Sequence, residues 1–181
     1  MRNKKRGRII SWIAVVLAVI IFCSCFIFTK IEVVGPSMYP TLKSGDYGVA
    51  DSFTYKIFGL HRFDIVTVNV SDGKTIVKRI VGLPGEEIFY DDEGLHVDGV
   101  LVDEPFLEEG MKQKTANTNC PLTTTGVKLG EDEYYVLGDN RDNSTDSRFI
   151  GPVIKDRIKA RGFIIYGELG DKLKLPRFVG W

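Results

Sequence analysis

The chain has 181 residues, 44% of them hydrophobic and 27% charged, which is enough to pack one ordinary core with attachments. Its formal net charge of zero conceals an asymmetry, because residues 1–8 carry Arg2, Lys4, Lys5, Arg6 and Arg8 and no acid. Setting those five aside leaves 19 basic against 24 acidic side chains, a mildly acidic remainder that argues against a nucleic-acid partner.

Ile9 to Phe28, "IISWIAVVLAVIIFCSCFIF", is 20 residues without a charge. As a helix rising about 1.5 Å per residue it would span roughly 30 Å, the thickness of a bilayer core. The basic flank on its N-terminal side predicts a cytoplasmic tail (1–8), one transmembrane helix (9–28) and an extracytoplasmic domain (29–181). A cleaved signal peptide would have a shorter apolar run, about 7–15 residues, and a small-residue cleavage site that "CSCFIFTK" does not offer.

After the span, β signals dominate. The segments 31–34, 46–52, 64–70, 75–82, 87–90, 95–102, 133–138 and 159–167 are short and rich in Val, Ile, Tyr and Phe, with Gly, Asp, Asn or Pro between them. "HVDGVLV" carries an Asp-Gly hairpin signal, and "VSDGKT" at 70–75 predicts a second hairpin. No segment after residue 30 sustains a long 3.6-residue period. The expected fold is mainly β and antiparallel, a partly closed barrel or sandwich behind the N-terminal transmembrane helix. Residues 103–130 are polar and Thr- and Lys-rich, and read as a flexible excursion or small cap between two core strands.

Cys23 and Cys25 fall in the proposed span and Cys120 stands alone, so the outer domain is expected to fold without an internal disulfide. His61, His96 and Cys120 lack metal-ligand spacing, and no metal or cofactor is expected.

Three places could carry chemistry. In "VVGPSMYPTL", Pro36 and Pro40 restrict the backbone around Ser37, which suits either a nucleophile or a rigid connector. A serine hydroxyl needs a base to take its proton, and lysine can serve in Ser–Lys enzymes if burial lowers its pKa. In "TIVKRIVG", Lys78 shares a strand face with Ile76 and Ile80, while Arg79 is flanked by Val77 and Val81 on the other face. Periodicity does not choose between the two cations, although arginine cannot act as a neutral base. "GDNRDNSTDSR" (138–148) has no apolar side chain. Aligned as a calcium loop from Asp142, it puts Ser147 where glycine is needed and Val153 at the last ligand position, which excludes a standard EF-hand. It is therefore a solvated turn or a source of buried hydrogen bonds.

Together these stretches resemble the bacterial type I signal peptidases, membrane serine proteases that release secreted proteins from their signal peptides. Four blocks carry the resemblance in order: "GPSMYPTL" (35–42), "HRFDIVTV" (61–68), "KRIVGLPGE" (78–86) and "GDNRDNSTDSRFIGPV" (138–153). The resemblance implies Ser37 as nucleophile and Lys78 as general base. It implies Ser144 as the residue orienting the lysine amine, Asp146 and Arg148 as a structural ion pair, and Asp139 as a structural acid. It implies the Ser37 backbone N–H as an oxyanion donor. Val33, Val34, Met38, Leu42 and Val77 match residues lining shallow apolar pockets for alanine-sized side chains at the first and third positions before the cut. Secretory precursors and the lipid bilayer are the implied partners, with the precursor bound as an added β-strand.

Two positions depart from the family pattern. Gly35 stands where members with a larger periplasmic domain have a serine that offers a second oxyanion donor. The second block usually reads R-G-D, whereas here Phe63 lies between Arg62 and Asp64. Of the rival readings, a repressor-type Ser–Lys protease does not need the apolar span, and a sortase would need a reactive cysteine where Cys120 lies in polar sequence. A noncatalytic envelope-binding domain would be indifferent to loss of Ser37 or Lys78.

Overall fold

In the computed structural model the described residues are 10–19, 27–70, 73–108, 110–168 and 177–179. The predicted tail 1–8 therefore lies outside them, as do Cys23 and Cys25. Of the predicted span, residues 10–19 and 27–28 are described, and 10–19 form helix α1. Among the described residues no helix is long and apolar enough to cross a membrane. Phe28 does not close a helix as expected. It opens strand β1 (Phe28–Glu32) and pairs with Asp51, because the apolar run passes directly into a β-type sequence.

Twelve strands follow in the described residues, and every pairing is antiparallel. The larger sheet joins β1, β2 (Asp46–Asp51), β11 (Ile158–Glu168), β3 (Ile65–Asn69), β4 (Thr75–Gly82), β9 (Glu133–Leu137) and β10 (Val153–Ile154) in that order. β12 (Arg177–Val179) pairs with β11. The path has two free ends, so the sheet is open. A smaller sheet runs β7 (Val100–Val102), β6 (Leu95–Val97), β5 (Glu87–Tyr90) and β8 (Val127–Lys128).

The predicted strands 75–82 and 87–90 match β4 and β5 residue for residue, and segment 95–102 is a hairpin. Asp98 and Gly99 both have positive φ, 48° and 79°, the turn that fits the twist of paired strands. β3 and β4 also form the expected hairpin, although turn residues 71 and 72 lie outside the described set.

Segment 103–130 is a cap rather than an unstructured excursion. It holds helices α3 (Met111–Ala116) and α4 (Pro121–Thr124) and strand β8. Leu122 and Cys120 bury themselves against Ile88, Tyr90, Leu95 and Leu137. The larger sheet is buried on both faces. One side packs Val66, Val68, Ile80, Val136 and Ile158, with Tyr55 of helix α2 (Tyr55–Phe58). The other packs Ile65, Ala50, Ala160 and Phe163 against Met38 and Leu42 from the turn after β1. That second core positions the candidate site.

Candidate active site

Beyond β1 the chain is tied to the start of β2, with the Val33 N–H donating to the Asp46 carbonyl and the Gly45 N–H to the Val33 carbonyl, both at 2.8 Å. It bends at Gly35 (φ 90°) into a turn in which Tyr39 N–H donates to the Pro36 carbonyl at 3.0 Å. Met38 and Leu42 then anchor the turn in the core with essentially no exposed surface. The residue beside Ser37 is thus fixed by packing as well as by the flanking prolines, and Ser37 itself stays partly accessible.

Lys78, on β4, comes to this serine from 41 residues away, its Nζ 2.7 Å from Ser37 Oγ and 2.8 Å from the Val77 carbonyl oxygen. The side chain is buried, and burial pushes its pKa from 10.5 down to about 8, against the pull of the Asp146 and Asp139 carboxylates. At pH 7 about one amine in ten is then neutral, compared with about one in three thousand at the ordinary value. The neutral amine can accept the Ser37 hydroxyl proton across the 2.7 Å contact.

The tie between Lys78 and Arg79 ends in the tertiary structure, since both are buried and each faces a different partner. Arg79 forms a two-pronged pair with Asp139, Nε to Oδ1 at 2.8 Å and Nη2 to Oδ2 at 2.6 Å, and donates to the Phe63 carbonyl at 2.9 Å. Its guanidinium lies 3.9 Å from the centre of the Phe106 ring. Phe63 has φ 71°, a backbone state that glycine would adopt freely and that costs a side-chain-bearing residue about 1 kcal/mol. Its ring packs edge-on against Phe106 at 5.0 Å, which offsets that cost and walls in Arg79. The departure from R-G-D thus exchanges a relaxed backbone for an aromatic clamp.

The polar loop 138–148 is not a solvated turn: Asp139, Arg141, Asp146, Ser147 and Arg148 are all buried. Asp146 and Arg148 form the expected ion pair, at 2.8 and 2.9 Å, and Asp146 also accepts the Gly138 N–H at 3.0 Å. Ser144 does not meet the lysine amine here. Its buried Oγ has no hydrogen-bond partner and lies against Gly138, next to the Ser37 carbonyl.

Sequence reasoning missed one network. Arg141, wholly buried, pairs with Glu104, which also accepts from the Tyr90 hydroxyl at 2.6 Å. Arg141 further donates to the Gly138 carbonyl at 3.0 Å and to Thr115 Oγ1 at 3.1 Å. The cap segment therefore holds the site loop through an ion pair between residues distant in sequence, and no local pattern announces Glu104. Glu104→Gln removes the charge but keeps the shape, so urea unfolding should show a loss of about 2 kcal/mol. An unchanged midpoint would mean that the pair contributes nothing to stability.

Of the five residues expected to line peptide pockets, Val34 is 84% exposed and Val77 partly exposed, while Val33, Met38 and Leu42 are buried. Leu42 has no accessible surface, so it supports the floor from beneath and touches no ligand in this arrangement. A cleft lies between the β1 edge and the first half of β4, lined by Ile31, Glu32, Thr67, Thr75 and Val77 among others. Among the described residues β9 pairs with β4 only from Arg79 onward, so residues 75–78 have β3 alone as a partner, and β1 has only β2. Both borders of the cleft are open sheet edges. Among the described residues no cluster of His, Cys, Asp and Glu could hold a metal ion.

The family model described as "Signal peptidase, peptidase S26" matches residues 6–167. Signal peptidase I V of Bacillus subtilis is 39% identical over 152 residues, covering 81% of this chain and 89% of that protein. Signal peptidase I of Bacillus caldolyticus is 36% identical over 156 residues, covering 83% and 85%. The crystal structure of a signal peptidase I from Enterococcus faecalis aligns at 31% identity and a TM-score of 0.46, over 56% of this chain and 94% of that one. With the family model spanning most of its length, the chain belongs to the peptidase S26 family and is a serine endopeptidase of the bacterial type I signal peptidase kind.

Proposed function

We propose that this chain, anchored in the membrane by the apolar run that starts at Ile9 and ends before β1, cuts signal peptides from secretory precursors with Ser37 as nucleophile and Lys78 as general base. The observation that carries the reading is the 2.7 Å contact between Ser37 Oγ and a buried amine whose pKa lies near 8. Neutral Lys78 takes the hydroxyl proton as Oγ attacks the scissile carbonyl. The resulting ammonium gives that proton to the departing amine of the mature protein, leaving an acyl-enzyme. Lys78 then deprotonates a water that hydrolyses the ester, and the proton returns to Ser37. Asp146, Arg148 and Asp139 hold the loop and β4 rather than exchange protons.

The precursor enters as an extended strand between the open edges of β1 and β4, where both borders can hydrogen-bond to it. Val34 and Val77 offer accessible apolar surface, with Val33, Met38 and Leu42 as the floor. This arrangement favours alanine-sized side chains at the first and third positions before the cut. The basic tail 1–8 stays cytoplasmic and the β domain lies outside. Ser37 follows Phe28 by nine residues, so the chain keeps it within about 30 Å of the membrane exit, where a tethered precursor presents its cleavage site.

The test is cleavage of a precursor with an A-x-A site by the full chain in detergent. Ser37→Ala should abolish cutting. The wild-type rate should rise with pH through a midpoint near 8, because the base must be neutral. Normal cutting by Ser37→Ala, or a midpoint in the histidine range, would sink the reading.

A further inference from the structure

The peptide joining Pro36 to Ser37 is held from the far side of the site. The Asn140 side-chain amide donates to the Pro36 carbonyl at 3.2 Å, and the Asn140 backbone N–H donates to the Ser37 carbonyl at 3.1 Å. Tyr39 N–H donates to the same Pro36 carbonyl at 3.0 Å. A trans peptide is planar, with its C=O and N–H pointing in opposite directions. Fixing the Pro36 carbonyl therefore fixes the direction of the Ser37 N–H. Among the described residues that N–H donates to nothing. Upstream, Gly35 has no side-chain donor, and its own N–H is engaged by Ser44 Oγ at 3.1 Å.

We infer that Asn140 is a positioning residue, whose amide pins the Pro36 carbonyl so that the Ser37 N–H points at the oxygen developing negative charge during acyl transfer. The inference rests on the Ser37 and Lys78 reading above. It adds a residue that acts on the oxyanion rather than on the base. Because Gly35 supplies no second donor, the orientation of the single N–H carries more of the stabilisation. Asn140 sits two residues after Gly138 and one before the buried Arg141, so the cap holds it in place through the Arg141–Glu104 pair.

The test compares wild type with Asn140→Leu, which keeps about the size, loses the side-chain donors and adds no charge beside Lys78, and Asn140→Gln, which keeps a donor on a longer arm. A peptide aldehyde serves as probe: Ser37 Oγ adds to its carbonyl carbon, Lys78 takes the proton, and the resulting oxyanion occupies the position in question. Loss of an oxyanion donor outright costs about 100- to 1,000-fold. Misdirecting one should cost less, so Asn140→Leu is expected to lower kcat about tenfold with KM within twofold. Aldehyde affinity should fall by the same factor, the pH midpoint should stay near 8, and Asn140→Gln should recover part of the rate. An unchanged kcat overturns the inference, as does a fall in kcat with full aldehyde affinity. A moved pH midpoint overturns it too, because Asn140 would then act through Lys78. Ser37→Ala run in parallel separates the two levels, since continued cutting by that variant would remove the underlying reading whatever Asn140 does.

Discussion

Lys78→Met is expected to produce a chain that does not cut and is more stable than wild type. The loss of activity follows from the proposed role of Lys78 as general base, whose removal is worth about ten-thousand-fold or more when Ser37 has no other acceptor in reach. The gain in stability follows from burial. A lysine at pKa 10.5 in the unfolded chain and about 8 in the folded one gives the unfolded state more bound protons between those values. Wild-type stability therefore rises with pH from about 8 to 10.5, and below 8 the fold bears the full cost, about 3 kcal/mol. Methionine fills a similar volume without the charge. It forfeits the contacts to Ser37 Oγ and the Val77 carbonyl, worth about 1 kcal/mol each. The net expectation at pH 7 is about 1 kcal/mol of added stability in urea unfolding, shrinking as the pH approaches 10.5. A Lys78→Met chain less stable than wild type at pH 7 would show that the amine is not held against its solvation preference.

Gly138→Ala is expected to lower kcat/KM about 100-fold with the β domain still folded. A Cβ at this position would lie 2.2 Å from Ser144 Oγ, 2.5 Å from the Ser37 carbonyl oxygen and 2.6 Å from Ser144 Cβ. Two of those three atoms cannot rotate away, so the Ser37 backbone must shift by about 1 Å, enough for a loss of that order if Ser37 is the proposed nucleophile. The need for glycine here is spatial, because its φ is not in the left-handed region. Precursor cleavage by Gly138→Ala and by the double variant with Ser144→Ala decides the cause. Removing only the Ser144 hydroxyl should not restore the rate, since the Ser37 carbonyl still blocks. Recovery in the double variant would mean that the hydroxyl alone was in the way.

Glycine before an acidic, Asn-rich loop reads from sequence as an ordinary turn. Its function depends on which backbone crosses it, and that backbone lies about 100 residues earlier in the chain. The same reason explains why the sequence leaves loop 138–148 open between a solvated turn and a source of buried hydrogen bonds. Eleven polar residues signal solvent exposure when counted alone. Asp139 and Arg141 are buried because their charges find partners in Arg79 on β4 and Glu104 in the cap, and Asp146 and Arg148 because they pair with each other, while Asp142, Asn143 and Thr145 stay exposed.

What the sequence determined by itself is the local layer of this protein. Alternation of Val, Ile and Tyr set the strands 75–82 and 87–90, Asp98-Gly99 set a hairpin, and four motif blocks in order set the family resemblance. Two-residue strands such as β8 and β10, and the four-residue helices, were beyond it, since such short pieces exist through pairing and packing rather than through propensity. The choice between Lys78 and Arg79 was also beyond periodicity, because β4 is buried on both faces. Only the tertiary structure put Ser37 opposite one cation and Asp139 opposite the other, with Phe63 in a glycine-like conformation closing over the second. Burial and charge pairing are long-range properties, and they separate the amine that can lose its proton from the guanidinium that cannot.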